Sequence, residues 1–345
     1  MQAESAVLLD VRESVEFDAG HAQLARHLPL SALESDMDAA AGFRQTPLLL
    51  ICQRGPRSQR AAELLRDAGF NVRAVVEGGS EAWQAAGLPW QAGDDAAQRY
   101  SRHLLLPEVG PAGQARLKAA HVVLVGAGGL GSPVALYLAA AGVGTLTLID
   151  DDHVELSNLQ RQVLHGQADI GRLKVASARD RLLALNPGIK VHAVAQRLTT
   201  DNAAELLKNA DVVVDGADNF ATRHLVNATC HAQRKPWVYA AIQCFDGHAA
   251  VFDLREPGRL PCYRCLFPEA PDAQFAPNCA EAGVLGVLPG MLGTIQATET
   301  VKLLLGIGET LSGRVLHVDA LTMRIRESRL QRDPECPQCG HSTMR

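Results

Sequence analysis

This chain has no surplus of positive charge: 33 Lys and Arg stand against 38 Asp and Glu, a net charge of -5. Gripping nucleic acid through its phosphates needs a basic face, so that class is set aside, and small molecules or proteins remain as partners. Internal repeats and low-complexity segments are also absent, as is an apolar leader, because Glu4 and Asp10 bring in charge too early for a signal peptide. One run, Ala119 to Ile149, lacks Lys, Arg, Asp and Glu and is long enough to cross a membrane. It nevertheless holds six glycines and Pro133, and it divides into a β-branched run, a glycine cluster and an alanine-rich run. That order predicts strand, turn, buried helix and second strand, with no membrane span.

What is present fits a soluble, cytoplasmic α/β protein of two domains. A length of 345 residues exceeds one ordinary core, and 47% apolar with 21% charged residues is a globular balance. A short polar link, Gly93 to Gln98, separates residues 1–92 from 99–345. Ahead of it, Val7 to Leu9, Leu48 to Ile51 and Val72 to Val76 read as strands, and Gln59 to Ala68 as a helix closed by Gly69. This pattern predicts a small parallel α/β unit. After the link, His121 to Val125 and Thr145 to Ile149 read as strands flanking a helix over Pro133 to Ala141. Val212 to Asp215 and Trp237 to Ala240 add further strands. A Rossmann-like, doubly wound sheet follows, with ligands expected at the strand carboxyl ends.

Gly126-Ala127-Gly128-Gly129-Leu130-Gly131 lies between a strand and a helix, where glycines let the backbone approach a phosphate at a helix N-terminus. Asp150 ends the next strand, in position to hold ribose hydroxyls. A nicotinamide-dependent oxidoreductase would share both features. Ser157-Asn158-Leu159-Gln160-Arg161, then Lys174, and then Asp218-Asn219 at a later strand end separate the readings. Two fixed cations and a spare carboxylate suit ATP with Mg2+ during nucleotidyl transfer, and a dehydrogenase needs none of them.

Two Cys-x-x-Cys pairs, Cys262/Cys265 and Cys336/Cys339, can present four thiolates to one tetrahedral Zn2+. Such a closed shell is structural, pinning the C-terminal tail to its domain. Cys52 opens Cys52-Gln53-Arg54-Gly55-Pro56-Arg57-Ser58 after a strand and before a helix, where inward N–H groups and two arginines favour a thiolate or persulfide. Cys279 sits in a small-residue loop and reads equally as a catalytic thiol or a small buried one. Cys230 and Cys244, in apolar surroundings, read as core.

Taken together, Gly126 through Lys174 resembles the nucleotide-binding core of the MoeB/ThiF family, relatives of the ubiquitin-activating enzymes, over nearly all of residues 99 to 345. The resemblance implies that Gly129, Asp150, Asn158, Arg161 and Lys174 contact ATP and that Asp218 holds Mg2+ near the α-phosphate. The entry sequence Arg99-Tyr100-Ser101-Arg102-His103 also matches, which implies a homodimer in which Arg102 reaches the partner subunit's active site. Cys279 resembles the crossover-loop cysteine, which in eukaryotic relatives takes a thioester or exchanges sulfur with a rhodanese cysteine.

Residues 5 to 90 resemble a rhodanese domain through the Cys52 loop, Asp10-Val11-Arg12-Glu13, Gly20-His21, Gly78-Gly79 and Trp83 to Pro89. They depart from it in starting almost on the Asp10 strand and in lacking a proline-glycine step after His21. The implied activity is adenylylation of the C-terminal glycine of a small ubiquitin-like sulfur carrier ending in Gly-Gly. Sulfur would come through Cys52 from a donor such as a cysteine desulfurase. Molybdopterin biosynthesis is the leading pathway, ahead of thiamine or tRNA thiolation. The non-enzymatic alternative is a zinc-stapled scaffold for a ubiquitin-like partner.

Overall fold

The computed structural model describes residues 6–93, 95–256, 259–269 and 283–340. Its contacts divide the chain into two compact units, one ending at Gly110 and the other beginning at Pro111.

The first unit is built on a parallel sheet of β1 (Val7–Asp10), β3 (Arg26–His27), β4 (Leu48–Ile51) and β5 (Val72–Val75), in the order β3-β1-β4-β5. A separate ribbon pairs β2 (Gly20–Ala22) with β6 (Trp90–Ala92). Leu9, Leu48, Leu50 and Ile51 are fully buried, as apolar runs in a sheet covered on both faces should be. Helices α1 (Ser14–Asp18), α2 (Leu30–Ser35), α3 (Pro56–Asp67) and α4 (Gly79–Ala85) complete the rhodanese-like part. Helix α3 starts three residues before the expected Gln59, because Pro56 presets the backbone angle of a first helical turn. Residues around the expected link are helical, forming α5 (Asp95–Arg99) and α6 (Ser101–Leu104), and they belong to the first unit.

Polar signatures of this unit turn out to be structural locks. The Asp10 carboxylate, fully buried, takes Arg12 Nη2 at 2.6 Å and Arg12 Nε at 3.0 Å, and Arg12 also donates to the Gly20 carbonyl at 2.8 Å. Gly79 has φ +60, and a Cβ there would stand 2.2 Å from the Cys52 carbonyl. Only glycine lets α4 approach, with Ser80 N–H donating to Cys52 O at 2.7 Å.

In the second unit α7 (Gly110–Ala119) leads into an eight-stranded sheet. Its parallel part is β7 (His121–Val125), β8 (Thr145–Ile149), β9 (Lys190–Val194), β10 (Val212–Asp215) and β11 (Pro236–Gln243). Three more strands extend it antiparallel: β12 (Asp246–Asp253), β13 (Arg314–Asp319) and β14 (Arg324–Arg329). The strand order is β14-β13-β12-β11-β10-β7-β8-β9. The sequence reading covered four of the five parallel strands, missing β9, and none of the antiparallel ones. The β11–β12 pair turns through Cys244, at φ +51, so this half-buried cysteine lies at a hairpin tip and not in the core expected for it. Cys230 is fully buried, and burial pushes its thiol well above the usual range.

The order of connections makes β7 the switch point. From β7 the chain runs outward through α8 (Gly131–Ala141), β8, α9 (Lys174–Leu185) and β9. It then returns through α10 (Ala203–Leu207) to lay β10 on the other side of β7. Helices α11 (Phe220–Gln233), α12 (Tyr263–Leu266) and α13 (Leu288–Leu305) follow, the last packing on α8 and β11. No helix among the described residues is long and apolar enough to cross a membrane.

Removing one partner of the buried Asp10–Arg12 pair strands a carboxylate without water or counter-charge. Arg12→Ala should therefore destabilise the first unit by about 3–5 kcal/mol. In urea titrations the Trp83 and Trp90 signal should melt early, while the Trp237 signal of the second unit stays at its wild-type midpoint.

Candidate functional site

The carboxyl ends of β7, β8 and β10 meet at the switch point, and the loops leaving them carry the residues singled out above. The turn after β7 requires glycine. Gly126 has φ +95, and a Cβ on it would stand 2.8 Å from Gly216 O; a Cβ on Gly131 would stand 2.1 Å from Gly126 O. The turn therefore nests against the loop that follows β10 and carries Asp218. Gly128 faces Gln162, and Gly129 lies against Pro289 and the Arg161 side chain, with 3.5 Å from its Cβ position to Arg161 Cγ. Arg161 is thus placed over the glycine turn.

Asp150 does structural work as well as bordering the site. Its Oδ2 takes the Ala127 N–H at 2.7 Å, tying the turn to β8, and its Oδ1 takes the Asp152 N–H at 2.8 Å. Lys174, the first residue of α9, is 7% exposed and holds Asp152 Oδ2 at 2.7 Å. Asp152 itself escaped the sequence reading, although the run Asp150-Asp151-Asp152 was a visible signal. Its carboxylate takes one of the three N–H donors of the Lys174 ammonium.

Ser157 and Asn158 serve Arg161: its Nη2 donates to Asn158 Oδ1 at 3.1 Å and its Nη1 to the Ser157 carbonyl at 3.3 Å. Asn219 caps α11 by accepting the Thr222 N–H at 2.9 Å, and its Nδ2 donates to Asp218 Oδ1 at 3.2 Å. Asp218 is exposed at the head of that helix, an oxygen donor suited to Mg2+ brought by a nucleotide.

Three buried residues that the sequence reading missed stiffen the site from behind. His165 bridges Ala127 O at 3.0 Å and Ser177 Oγ at 2.9 Å. Burial lowers its pKa, so it is neutral, with Nε2–H donating to the carbonyl and Nδ1 accepting from Ser177. Arg223 donates to Ala217 O at 2.8 Å while Asp215 Oδ1 takes the Ala217 N–H at 2.7 Å. Both backbone polar groups of Ala217, the residue before Asp218, are thereby held. Asp215 is wholly buried; burial raises its carboxyl to about 6 against the opposing pull of Arg223. Gln296 on α13 donates to Asp215 O at 2.7 Å. His165 and Gln296 left no local trace, whereas Arg223, one turn beyond Asn219, could have been placed on the same helix face.

The four cysteines of the two Cys-x-x-Cys pairs come together, all their sulfurs lying within 4.8 Å of one another. Cys262 and Cys336 are 3.7 Å apart and Cys265 and Cys339 3.4 Å, close to the edge of about 3.8 Å of a tetrahedron with Zn–S bonds of about 2.3 Å. No pair is a disulfide. Donation to Cys339 and burial hold the Cys262 thiol up, and receiving hydrogen bonds from Cys262 and Cys265 brings Cys339 down. The donor set and spacing fit zinc. Asn227 Oδ1 accepts the Tyr263 N–H at 3.0 Å, anchoring the first pair to α11. Cys279 lies outside the described residues.

In the first unit Cys52 Sγ receives the Gly55 N–H at 3.1 Å, and the Ser58 hydroxyl lies 3.3 Å away. Burial pushes the thiol up, but hydrogen bonds from Ser58, Gly55 and Arg54 outweigh it and leave Cys52 below the ordinary thiol value. Cys52 opens on a cavity of about 320 Å³ lined by Gln53, Arg54, Pro56, Arg57 and Arg102. Arg54 is paired with Glu81 at 2.9 Å and Arg57 with Glu16 at 2.5 Å.

Two outcomes follow. Alkylation of Cys52 by iodoacetamide should titrate with a midpoint below that of an ordinary thiol, and Ser58→Ala should move that midpoint upward. An unchanged midpoint would show that the hydroxyl does not hold the thiolate. For the second unit, metal analysis should find one zinc per chain, lost in Cys336→Ser together with a lowered melting temperature; full stability without metal would remove zinc from the fold.

The ThiF family model matches residues 100–338 and the rhodanese-like domain model residues 1–86. The sulfur carrier protein adenylyltransferase of Thermus thermophilus is 52% identical over 246 residues, covering 70% of this chain and 90% of the relative. The SAMP-activating enzyme E1 of Haloferax volcanii is 52% identical over 248 residues, 71% and 90% of the two chains. A probable adenylyltransferase/sulfurtransferase MoeZ of Mycobacterium tuberculosis is 51% identical over 241 residues, 70% of this chain and 62% of that one. Among solved structures, E. coli MccB with ATP superposes with a TM-score of 0.59 at 26% identity, covering 70% of this chain and 73% of that one. On sequence, fold and the arrangement of the glycine turn, the chain belongs to the ThiF family and carries a rhodanese-like domain ahead of its family core.

Proposed function

We propose that residues 99–345 adenylate the C-terminal glycine of a ubiquitin-like sulfur carrier ending in Gly-Gly, and that Cys52, within residues 1–92, supplies the sulfur. The observation that carries the first half is the convergence of the Gly126 turn, Arg161, Lys174 and the Asp218 loop at one switch point. The names of the Thermus and Haloferax relatives point the same way. A non-catalytic scaffold would have no use for the buried polar network that holds the Ala217 peptide and the glycine turn.

The glycine turn would receive the phosphates of ATP, with Asp150 bordering the ribose. Mg2+ held by Asp218 would neutralise phosphate charge. Arg161 and Lys174 would stabilise charge as the carrier carboxylate attacks the α-phosphorus and the bond to the β-phosphate breaks, its electron pair leaving with pyrophosphate. No side-chain nucleophile is needed, so positioning and electrostatics supply the rate. The terminal sulfur of a Cys52 persulfide then attacks the acyl carbon and AMP leaves. A second thiol, with Cys279 as the candidate, would attack the Cys52 sulfur of the resulting acyl disulfide, so that the thiocarboxylate leaves with the electron pair and a new disulfide to Cys52 forms, which an external dithiol reductant would reopen. In a cytoplasmic homodimer Arg102 would reach the partner subunit's ATP site. A cysteine desulfurase would charge Cys52, and molybdopterin synthesis is the favoured destination, with thiamine or tRNA thiolation as the alternatives.

ATP–pyrophosphate exchange with candidate carriers tests this. Asp218→Ala and Arg161→Ala should each lower carrier-dependent exchange by about 100-fold or more. Cys52→Ser should leave exchange intact and remove thiocarboxylate formation, read by the mass of the carrier. Loss of exchange in Cys52→Ser would refute this division of labour.

A further inference from the structure

Asp218 lies directly ahead of α11, and what holds the first turn of that helix leads away from the glycine turn to the cysteine pairs. Phe220, Arg223, His224 and Asn227 follow the i, i+3, i+4, i+7 spacing, which puts them on one face of α11. Over two turns that face meets the stretch from Cys262 to Phe267. Phe220 touches Phe267 edge-on at 5.5 Å between ring centroids, and His224 touches Tyr263 at 5.2 Å. Asn227 Oδ1 accepts the Tyr263 N–H at 3.0 Å. Tyr263 directly follows Cys262, and Phe267 stands two residues beyond Cys265. The contacts on α11 therefore come from residues beside two of the four clustered thiols.

Two routes thus bracket Asp218. On one side Phe220, two residues further on, packs on Phe267. On the other, Arg223 holds the Ala217 carbonyl at 2.8 Å, and its guanidinium lies 5.7 Å from the Phe220 ring centre and 5.4 Å from that of Tyr239. Tyr239 in turn packs against the fully buried Tyr263 at 5.2 Å. Both routes end on the cysteine segment.

We infer that Phe267 and Tyr263 are positioning residues for Asp218, passing the arrangement of the four-cysteine site on to the carboxylate that would face the nucleotide's metal. The inference rests on reading Asp218 as that carboxylate. Four thiols within 4.8 Å of one another keep one fixed arrangement while a metal ion gathers them, and the turn that carries both rings is part of it. Close-packed side chains transmit small displacements, so a shift of the turn carries the capped end of α11 with it. Zinc here supplies no chemistry of its own. It sets how well Asp218 meets a divalent cation, and by linkage a cation and nucleotide at Asp218 must tighten the hold on zinc.

The full zinc-loaded chain is titrated with Mn2+ beside a non-hydrolysable ATP analogue, and bound Mn2+ is read by electron paramagnetic resonance. Phe267→Ala and Tyr263→Leu should each weaken Mn2+ binding about fivefold or more, with affinity for the metal-free analogue unchanged. The Tyr263 hydroxyl has no hydrogen-bond partner among the described residues, so Tyr263→Phe, which keeps the ring, should bind Mn2+ as the wild type does. Leu117→Ala, a buried change on α7, should lower stability and leave Mn2+ binding alone.

The converse readout is the rate at which a zinc-selective chelator strips the metal. Mg2+ with the analogue should slow stripping in the wild type and in Leu117→Ala, and not in Phe267→Ala. Unchanged Mn2+ affinity in both ring-deleting variants, an equal loss in Leu117→Ala, or equal protection of zinc in Phe267→Ala overturns the inference. If the wild-type chain binds no analogue, the reading of the switch point as an ATP site fails. Hydrogen exchange at the Ala217 amide, bonded to Asp215 Oδ1 at 2.7 Å, then decides the link alone: it should quicken in Phe267→Ala, and an equal rate refutes it.

Discussion

Two backbone loops touch where no side chain fits. Gly126 after β7 and Gly216 after β10 approach so closely that a Cβ on either would meet the other's backbone within 3.0 Å. That approach lets the glycine turn and the Asp218 loop form one wall. A side chain here would push the loops apart, separating the glycine turn from the Asp218 carboxylate. The dependence reaches outward through Gly131, which needs the same closeness so that α8 can start directly behind the turn. Anions bind well at a helix N-terminus only when the backbone can come this near.

Such a wall must be stiff, and the stiffness comes from buried polar groups whose partners are backbone atoms. Asp150 and His165 hold Ala127 from its two sides, one through the N–H and one through the carbonyl. Asp215 and Arg223 do the same for Ala217. Gln296 ties β10 to α13 from behind. Buried groups of this kind cost desolvation unless they are bonded, and each of these makes a backbone bond, although Asp215 Oδ2, Arg223 Nε and Gln296 Oε1 are left without a hydrogen-bond partner. The pairs in front are more exposed: Lys174 on Asp152, Arg161 on Asn158, and Asp218 beside Asn219.

The first unit solves a related problem with a different element. A thiolate in a buried position is unfavourable, and the Cys52 loop offsets burial by aiming N–H groups and a hydroxyl at sulfur while arginines ring the entrance. Ion pairs to Glu16 and Glu81 hold two of those arginines in place at some loss of charge. Further back, the sealed Asp10–Arg12 pair fixes β1 against the β2 ribbon, so the polar residues most visible in this stretch are structural.

By itself the sequence determined both folds in outline, the glycine turn, the two cysteine pairs and the Cys52 loop. Each is a local pattern, in which strand propensity, glycine at a turn or two thiols three residues apart act within one segment. His165 on Ala127, Gln296 on Asp215, the hold of Asp152 on Lys174 and the three antiparallel strands beyond β11 were decided by tertiary structure alone. So was the arrival of Arg102 at Cys52. These join positions far apart in the chain, and a lone histidine, glutamine or arginine carries no signal of its partner until the sheet order brings the two together. Topology, set by how the apolar faces bury one another, chose which loops would meet at the end of β7.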